Sequence, residues 1–513
     1  MKKKILILIL ILFACLSHSS GYGQENPFNP GEIYDSSMEL YYQGRCEEAL
    51  QGFVKIIQSA PTSRLVSYSQ YMIGLCYLKM GKYEEALQQL DLYIKAYPEG
   101  DRVRDVEKKI QDIKEQLKDK APPPTFSKTV IVRSLSEENR VKRRICAQVS
   151  YLEGKSLEEA EKRIKELKDA GVDTIILRVF QNKGDRKFKF VTAHHEEGVY
   201  FKTEYAPVVD DILGKVAEIV HQNGLELFAW ITTRYAYYGL DGHPEYRCKS
   251  YNFEKKRIEM AKGFNLFHPD VLKRLEGLFR DLGRYPIDGI LFQDDLILKH
   301  NEDFSTEASN AFLKEFGYSP HPDLFYIHPY KSGSGKYYVK AYTDHFWTWA
   351  NWKNRWLMNV AKRLMEAARE SNPKLKFAIN LYFEAVINEF NGVTWFSQNL
   401  SRALENHFDY YAIMAYHRQA MKNRNIDVKE AIGLMAEATR KTIEAVGDPS
   451  KVLMKVWILD WKSNEAVGYD LAPRKEIEEI LTAILNHGEV SLAFVPYIDQ
   501  FPLHSLKGKW TNK

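Results

Sequence analysis

The chain has 513 residues but only five cysteines, and their wide spacing matches no zinc pattern. A structural metal is therefore not expected, nor is any other cofactor. Glycine-rich phosphate loops are also missing after the first strand-like run, which argues against a dinucleotide-binding sheet. A large excess of either charge is missing as well. The net charge of +4 is small for this length and does not point to nucleic acid. The apolar stretch Ile5 to Phe13 is too short to span a bilayer as a stable helix. What remains is ordinary globular composition, 45% hydrophobic and 27% charged. The length exceeds what one core supports, so two or three domains are expected. Aromatic residues are plentiful: 31 Tyr and 9 Trp suit a protein that stacks rings on flat ligand faces, or one with a large core.

Residues 1–24 read as a targeting segment. Lys2, Lys3 and Lys4 form a basic start and Ile5 to Phe13 an apolar stretch. Leu12-Phe-Ala-Cys15 resembles a lipobox, although Phe13 fits that motif poorly. Two outcomes are open: a lipid on Cys15, or simple cleavage near Ser20 to Gln24. A lipid would account for the odd cysteine. Both outcomes imply export across the inner membrane to a periplasmic or lipid-anchored location. Of the other four cysteines, Cys46 and Cys76 are candidates for a disulfide or for burial as free thiols.

Residues 33–118 repeat themselves. Gly44-Arg-Cys-Glu-Glu-Ala49-Leu50 returns as Gly81-Lys-Tyr-Glu-Glu-Ala86-Leu87, an offset of 81 − 44 = 37, and Pro61 to Pro98 gives the same offset. Gly74, Tyr77, Gly81, Ala86 and Pro98 resemble tetratricopeptide (TPR) spacing, which implies stacked helical hairpins and a docked protein partner. Val103 to Lys118 is a charged amphipathic helix suited to capping the stack. Residues 119–144, with Ala121-Pro-Pro-Pro124, read as a linker.

Residues 145–505 alternate strand and helix patterns. Strands are expected at Ile145–Tyr151, Thr174–Phe180, Leu225–Ile231, Asp288–Gln293, Lys376–Tyr382, Asp409–Tyr416, Lys451–Ile458 and Val490–Tyr497. Helices are expected at Ser156–Ala170, Pro207–Asn223, Pro269–Leu282, Trp349–Glu370 and Pro473–Asn486. Ser156 with Glu159 reads as a capping box, and Gly171 as a helix stop. This order predicts an α/β fold, a (β/α)8 barrel behind an all-α repeat domain. Little chain follows Phe501, so the eighth helix must be short or absent. A doubly wound sheet is the alternative.

The stretch Asp288-Gly-Ile-Leu-Phe-Gln-Asp294-Asp295 organises the barrel. It is an apolar run that ends on two carboxylates, at the end of a barrel strand where active sites lie. Side chains alternate faces along a strand. If the pleat persists, Asp295 faces the lumen mouth and Asp294 props it or caps the next turn. A purely structural reading makes both capping residues. Other strand ends carry Arg178, Trp230, Asn380, Glu384, Tyr416, Asp460 with Trp461, and Tyr497 with Asp499. Carboxylates lined by rings are what glycoside hydrolysis needs: an acid for the leaving oxygen, an anion for the oxocarbenium-like state, and faces for the sugar. Arg178 has a second reading, as the partner of a buried carboxylate. His194-His195-Glu196 reads as a solvated loop.

Residues 145 to about 503 resemble the C-terminal glycoside hydrolase domain of the PgaB family of exopolysaccharide-processing proteins. The Asp288–Asp295 strand is similar to that family's DGILFHDD motif, with Gln293 in place of His. Phe228-Ala-Trp230, Asn380, Ala412-Ile-Met-Ala415 and Tyr497-Ile-Asp499-Gln-Phe501 carry the rest of the likeness. The resemblance implies a barrel that cleaves partly de-N-acetylated poly-β-1,6-N-acetylglucosamine. It implies catalysis by Asp295 or Asp294, with Asp295 expected as general acid and Trp230, Tyr416 and Tyr497 as sugar platform. Glu384, Asp460 and Asp499 compete for the second carboxylate. The family's metal-dependent deacetylase domain has no counterpart here, because the repeats occupy its place. Gln293 cannot carry a proton as His can, so a non-catalytic polysaccharide-binding and export scaffold is the competing class.

Overall fold

The computed structural model describes residues 30–60, 63, 65–97, 103–118, 141–185, 188–236, 238, 240, 242–332, 337–460, 470–497, 501 and 503–511. The targeting segment with Cys15, Pro61, Pro98, most of the expected linker, Trp461 and Asp499 lie outside them. The chain divides into two compact units, Met1–Ile131 and Val132–Lys513. Among the described residues, no helix is long and apolar enough to cross a membrane.

The first unit is helical throughout its described elements: α1 (Pro30–Tyr42), α2 (Cys46–Ser59), α3 (Leu65–Lys79), α4 (Tyr83–Ala96) and α5 (Val103–Lys118). The repeat appears directly in the helices, because α2 and α4 start 83 − 46 = 37 residues apart and have equal length. Gly44 and Gly81 hold positive φ angles of 81° and 71° before them, a conformation that costs glycine little. Gly74 lets α3 meet α4: a Cβ there would stand 2.6 Å from Leu90 Cδ2. Ala49, Phe53, Ala86 and Leu90 are fully buried in the shared core. The four cysteines Cys46, Cys76, Cys146 and Cys248 are buried free thiols.

The second unit is a closed barrel of eight parallel strands: β1 (Ile145–Val149), β2 (Thr174–Arg178), β3 (Glu226–Ile231), β4 (Gly289–Phe292), β5 (Lys376–Tyr382), β6 (Tyr410–Ala415), β7 (Val452–Trp457) and β8 (Ser491–Val495). Each expected strand is present, and β1 closes the ring on β8. Inward residues Cys146, Ile176, Phe228, Leu291, Ala378, Ala412, Leu453 and Ala493 form one cluster. Outward residues such as Ile290 and Phe292 join the larger core under the helices. Burial of each such Leu, Ile or Phe contributes about 1.5–3 kcal/mol. Glycine is required at the start of β4, where a Cβ on Gly289 would lie 2.6 Å from the Phe228 ring and 2.7 Å from Lys376 O.

The helices follow the sequence with small corrections. Pro269–Leu282 is as expected, and the expected Trp349–Glu370 extends to Asp344–Ser371. The helix expected from Pro207 begins at Leu213, because the preceding chain lies against residue 199: Val209 N–H donates to Val199 O at 2.8 Å. Only half of the expected capping box forms. Ser156 Oγ accepts from Glu159 N at 3.3 Å, but Glu159 accepts from Lys155 N–H at 2.8 Å instead of from Ser156. Among the described residues after β8, the short helical turns Leu503–Leu506 and Gly508–Thr511 follow. Two hairpins were not expected. One, Arg247–Asn252 with Arg257–Phe264, is inserted after β3; the other, Tyr326–Lys331 with Tyr337–Tyr342, after β4. Both emerge on the C-terminal face, where strand-to-helix loops build barrel active sites.

Candidate active site

The apolar run of β4 stops at Phe292, and the chain turns at Asp294 and Asp295. The pleat therefore does not carry the alternation onward, and the two carboxylates part company differently from the expectation. Asp295 is 1% exposed and turned towards the loop after β3. It accepts from Thr232 Oγ1, Thr233 Oγ1 (2.9 Å), Thr233 N (3.1 Å), Arg234 N (2.8 Å) and Tyr235 N (2.6 Å). Successive backbone N–H groups of this kind form an anion-holding nest. Asp295 is thus an acceptor that ties β4 to the β3 loop, in place of the lumen-facing acid expected from parity.

Asp294 is the carboxylate that interacts with the inward Lys455 and with Tyr382 and Tyr416 at the strand ends. Burial pushes its carboxyl above the ordinary aspartate value; the Lys455 ammonium pulls it down and Asp295 adds to the rise. Lys455 projects inward from β7, 2% exposed, and donates to Asn380 Oδ1 at 2.8 Å. Burial lowers its pKa to about 8, with Asp294 opposing that shift. Asn380 also donates to Phe292 O at 2.8 Å, so it braces the end of β4 and is itself 1% exposed. Tyr382, at the end of β5, stacks on Phe396 at 3.8 Å with planes 1° apart. Its phenol is pushed far up by burial first, then by Asp294, Tyr235, Glu384 and Asp295, so it stays neutral between the carboxylates. Tyr416 is raised by burial and by Asp294, and its ring lies 5.0 Å from that of Trp457.

Other expected residues fall into two groups. Glu384 begins the short helix Glu384–Ile387 after β5, and burial raises its carboxyl against the pull of Arg424. Trp230 lies at the mouth with its ring edge-on to Phe180 at 6.3 Å. Arg178 pairs with Asp185 and lies over Phe180 at 4.3 Å; its partner is a part-exposed carboxylate of the loop after β2 and not one buried in the barrel. Asp460 is held by Arg418 at 2.6 Å, and Arg418 also binds Glu476. Tyr497 packs with the outer core while its N–H donates to Gln148 O at 2.7 Å. His194, His195 and Glu196 are exposed.

The mouth also keeps buried polar atoms without a hydrogen-bond partner in the protein: Gln148 Oε1, Trp230 Nε1 and Gln293 Oε1. Such atoms are costly to bury unless something else satisfies them. Lys455, Tyr382 and the rim residue Trp395, 37% exposed, escaped the sequence reading. Lys455 left a signal, a lone cation in the apolar run Val452-Leu-Met-Lys455-Val-Trp457. An acid of raised pKa, a second, half-buried carboxyl that is also raised, and rings beside them can protonate a leaving oxygen and hold a pyranose.

Comparison with known proteins bears on the family and the fold. Residues 154–495 match the model described as "Hypothetical glycosyl hydrolase family 13", and residues 68–100 match a tetratricopeptide repeat. The curated "Poly-beta-1,6-N-acetyl-D-glucosamine N-deacetylase" of Escherichia coli (strain K12) is 26% identical over 280 residues, 52% of this chain and 37% of that protein. Its counterpart in Escherichia coli O157:H7 gives the same figures. The chain therefore spans little more than a third of the curated relatives it matches. The PgaB (BpsB) glycoside hydrolase domain from Bordetella bronchiseptica superposes with a TM-score of 0.57 at 18% identity, covering 72% of this chain and 99% of that domain. At that identity the likeness shows the fold.

Proposed function

We propose, since the chain belongs to hypothetical glycosyl hydrolase family 13, that its barrel cleaves an exported polysaccharide related to poly-β-1,6-N-acetylglucosamine, with Asp294 as the general acid. One observation carries the assignment: of the two adjacent aspartates, Asp294 shares the lumen with Lys455, Tyr382 and Tyr416, while five donors hold Asp295 away from it. A carboxyl raised by burial keeps its proton into the working pH range and gives it to the departing sugar oxygen. Asp295 is a positioning residue. Glu384 is the best-placed second carboxylate, because Asp460 is taken by Arg418. An acetamido group of the substrate is the alternative anion substitute. Trp230, Tyr416 and Trp395 offer ring faces to the sugar.

The N-terminal segment directs export, ending in the periplasm or on a lipid at Cys15, and the helical repeats dock a protein partner. The deacetylation named for the curated relatives is not assigned to this chain. A second reading has support from Gln293, which replaces a proton-carrying His: the barrel binds and guides polymer without cutting it. Incubating the protein with partly de-N-acetylated poly-β-1,6-N-acetylglucosamine and sizing the products by mass spectrometry tests both. Shorter oligomers support hydrolysis; intact polymer that stays bound supports the scaffold and overturns hydrolysis.

A further inference from the structure

Among the described residues, the exposed large apolar side chains of the barrel unit all lie in the connections after β3, β4 and β5. Clustering of this kind marks an interaction surface. Its outermost aromatic pair is Tyr330 and Tyr338, 53% and 39% exposed. They stand opposite one another across the Tyr326–Lys331/Tyr337–Tyr342 hairpin, with ring centroids 6.0 Å apart and planes at 28°.

The root of the hairpin is fixed. Tyr326 Oη donates to His300 O at 2.8 Å, and Tyr342 Oη is hydrogen-bonded to His300 Nδ1 at 2.9 Å. Tyr337 stacks on Phe253 at 6.3 Å, and Lys331 pairs with Glu254 at 2.7 Å. His300 belongs to the segment that leaves β4 through Asp294 and Asp295. The exposed pair is therefore carried on the same connection as the candidate acid, and its rings are preorganised. A rigid ring face loses little entropy on stacking.

Charge bears on what this surface accepts. Residues 326–342 contain no acidic residue, Lys331 is paired with Glu254, and Lys340 is exposed. A hairpin without a carboxylate of its own offers sugars with free amines no partner and leaves ring stacking as its means of binding.

We propose that Tyr330 and Tyr338 form a second polysaccharide platform, which stacks the apolar faces of uncharged N-acetylated sugars of the same polymer away from the bond being cut. This rests on the reading that the barrel takes a polysaccharide. It adds that acetylated stretches are held on the hairpin, away from the carboxyl groups of Asp294 and Glu384.

Affinity electrophoresis of the full chain through fully N-acetylated poly-β-1,6-N-acetylglucosamine tests it. The double variant Tyr330→Ala/Tyr338→Ala is expected to bind about ten-fold more weakly, with an unchanged melting temperature. Tyr330→Phe/Tyr338→Phe keeps the ring faces and is expected to bind like wild type. Wild-type protein that does not bind acetylated polymer, an alanine pair that binds as tightly as wild type, or a phenylalanine pair that binds as weakly as the alanine pair each overturns the platform. An alanine pair that loses instead a captured protein partner, with polymer binding intact, also overturns it. If wild type binds polymer and cuts none, while the alanine pair loses binding, the platform stands and hydrolysis falls.

Discussion

At the N-terminal end of the barrel, Arg144 is 5% exposed and nearly every polar contact is made. It donates to Tyr410 Oη at 2.6 Å and Thr174 Oγ1 at 2.9 Å, pairs with Glu226 and lies over the Phe228 ring at 4.7 Å. Tyr410 in turn donates to Lys142 O at 2.8 Å. At the C-terminal end, Gln148 Oε1, Trp230 Nε1 and Gln293 Oε1 find no protein partner, and Asp294 and Lys455 are both pulled from their ordinary ionisation. The same lumen thus closes one end with a satisfied network and leaves the other unsatisfied. Satisfied networks specify a fold; unsatisfied buried groups and displaced pKa values mark where a ligand is to supply the missing contacts.

Breaking the closed end is expected to have the largest effect on stability. Arg144→Leu removes the centre of that network and should cost about 3 kcal/mol, read as a lower urea midpoint, with turnover per folded molecule unchanged. Glu226 keeps Lys142 as a partner, which holds the cost at the lower end. Asp295→Ala sharpens the contrast, because Asp295 sits near the mouth but behaves like the closed end. Its loss strands five donors, so stability should fall by about 1–3 kcal/mol, and turnover should fall with it as the Thr232–Tyr235 loop shifts. A variant as stable as wild type would show that the nest is not structural.

Lys455→Met should have the smallest effect on turnover, read in its pH dependence, although it also removes the hydrogen bond to Asn380. The ammonium favours ionised Asp294, so its removal raises the Asp294 pKa further. The alkaline limb of the rate profile reports loss of the proton from the acid. That limb should move to higher pH; movement to lower pH would separate Lys455 from the acid.

The architecture was legible because buried parallel strands leave apolar runs that a single chain displays, and because the 37-residue offset recurs in α2 and α4. Asp294 and Asp295 were legible as a pair but not in their roles. Parity assumes a continuing pleat, and β4 ends before either residue. The nest that claims Asp295 comes from residues some sixty positions earlier, a contact that spacing does not reveal. The ion pair that holds Asp460 is hidden in the same way, since Arg418 follows the neighbouring strand and stands 42 residues earlier. The hairpins were missed because their exposed strands alternate weakly and lie within one long connection. Lys455 is visible in the sequence, since a cation inside an apolar strand is the kind of buried polar group that asks for an explanation.

The most direct test of the account is the turnover of Asp294→Asn on partly de-N-acetylated poly-β-1,6-N-acetylglucosamine, measured beside its melting temperature. Asn has nearly the same shape and no proton to give, so the account predicts a fall of about 10²–10⁴-fold with the fold and polymer binding retained. Near wild-type turnover in Asp294→Asn, with loss instead in a folded Asp295→Asn, would contradict it.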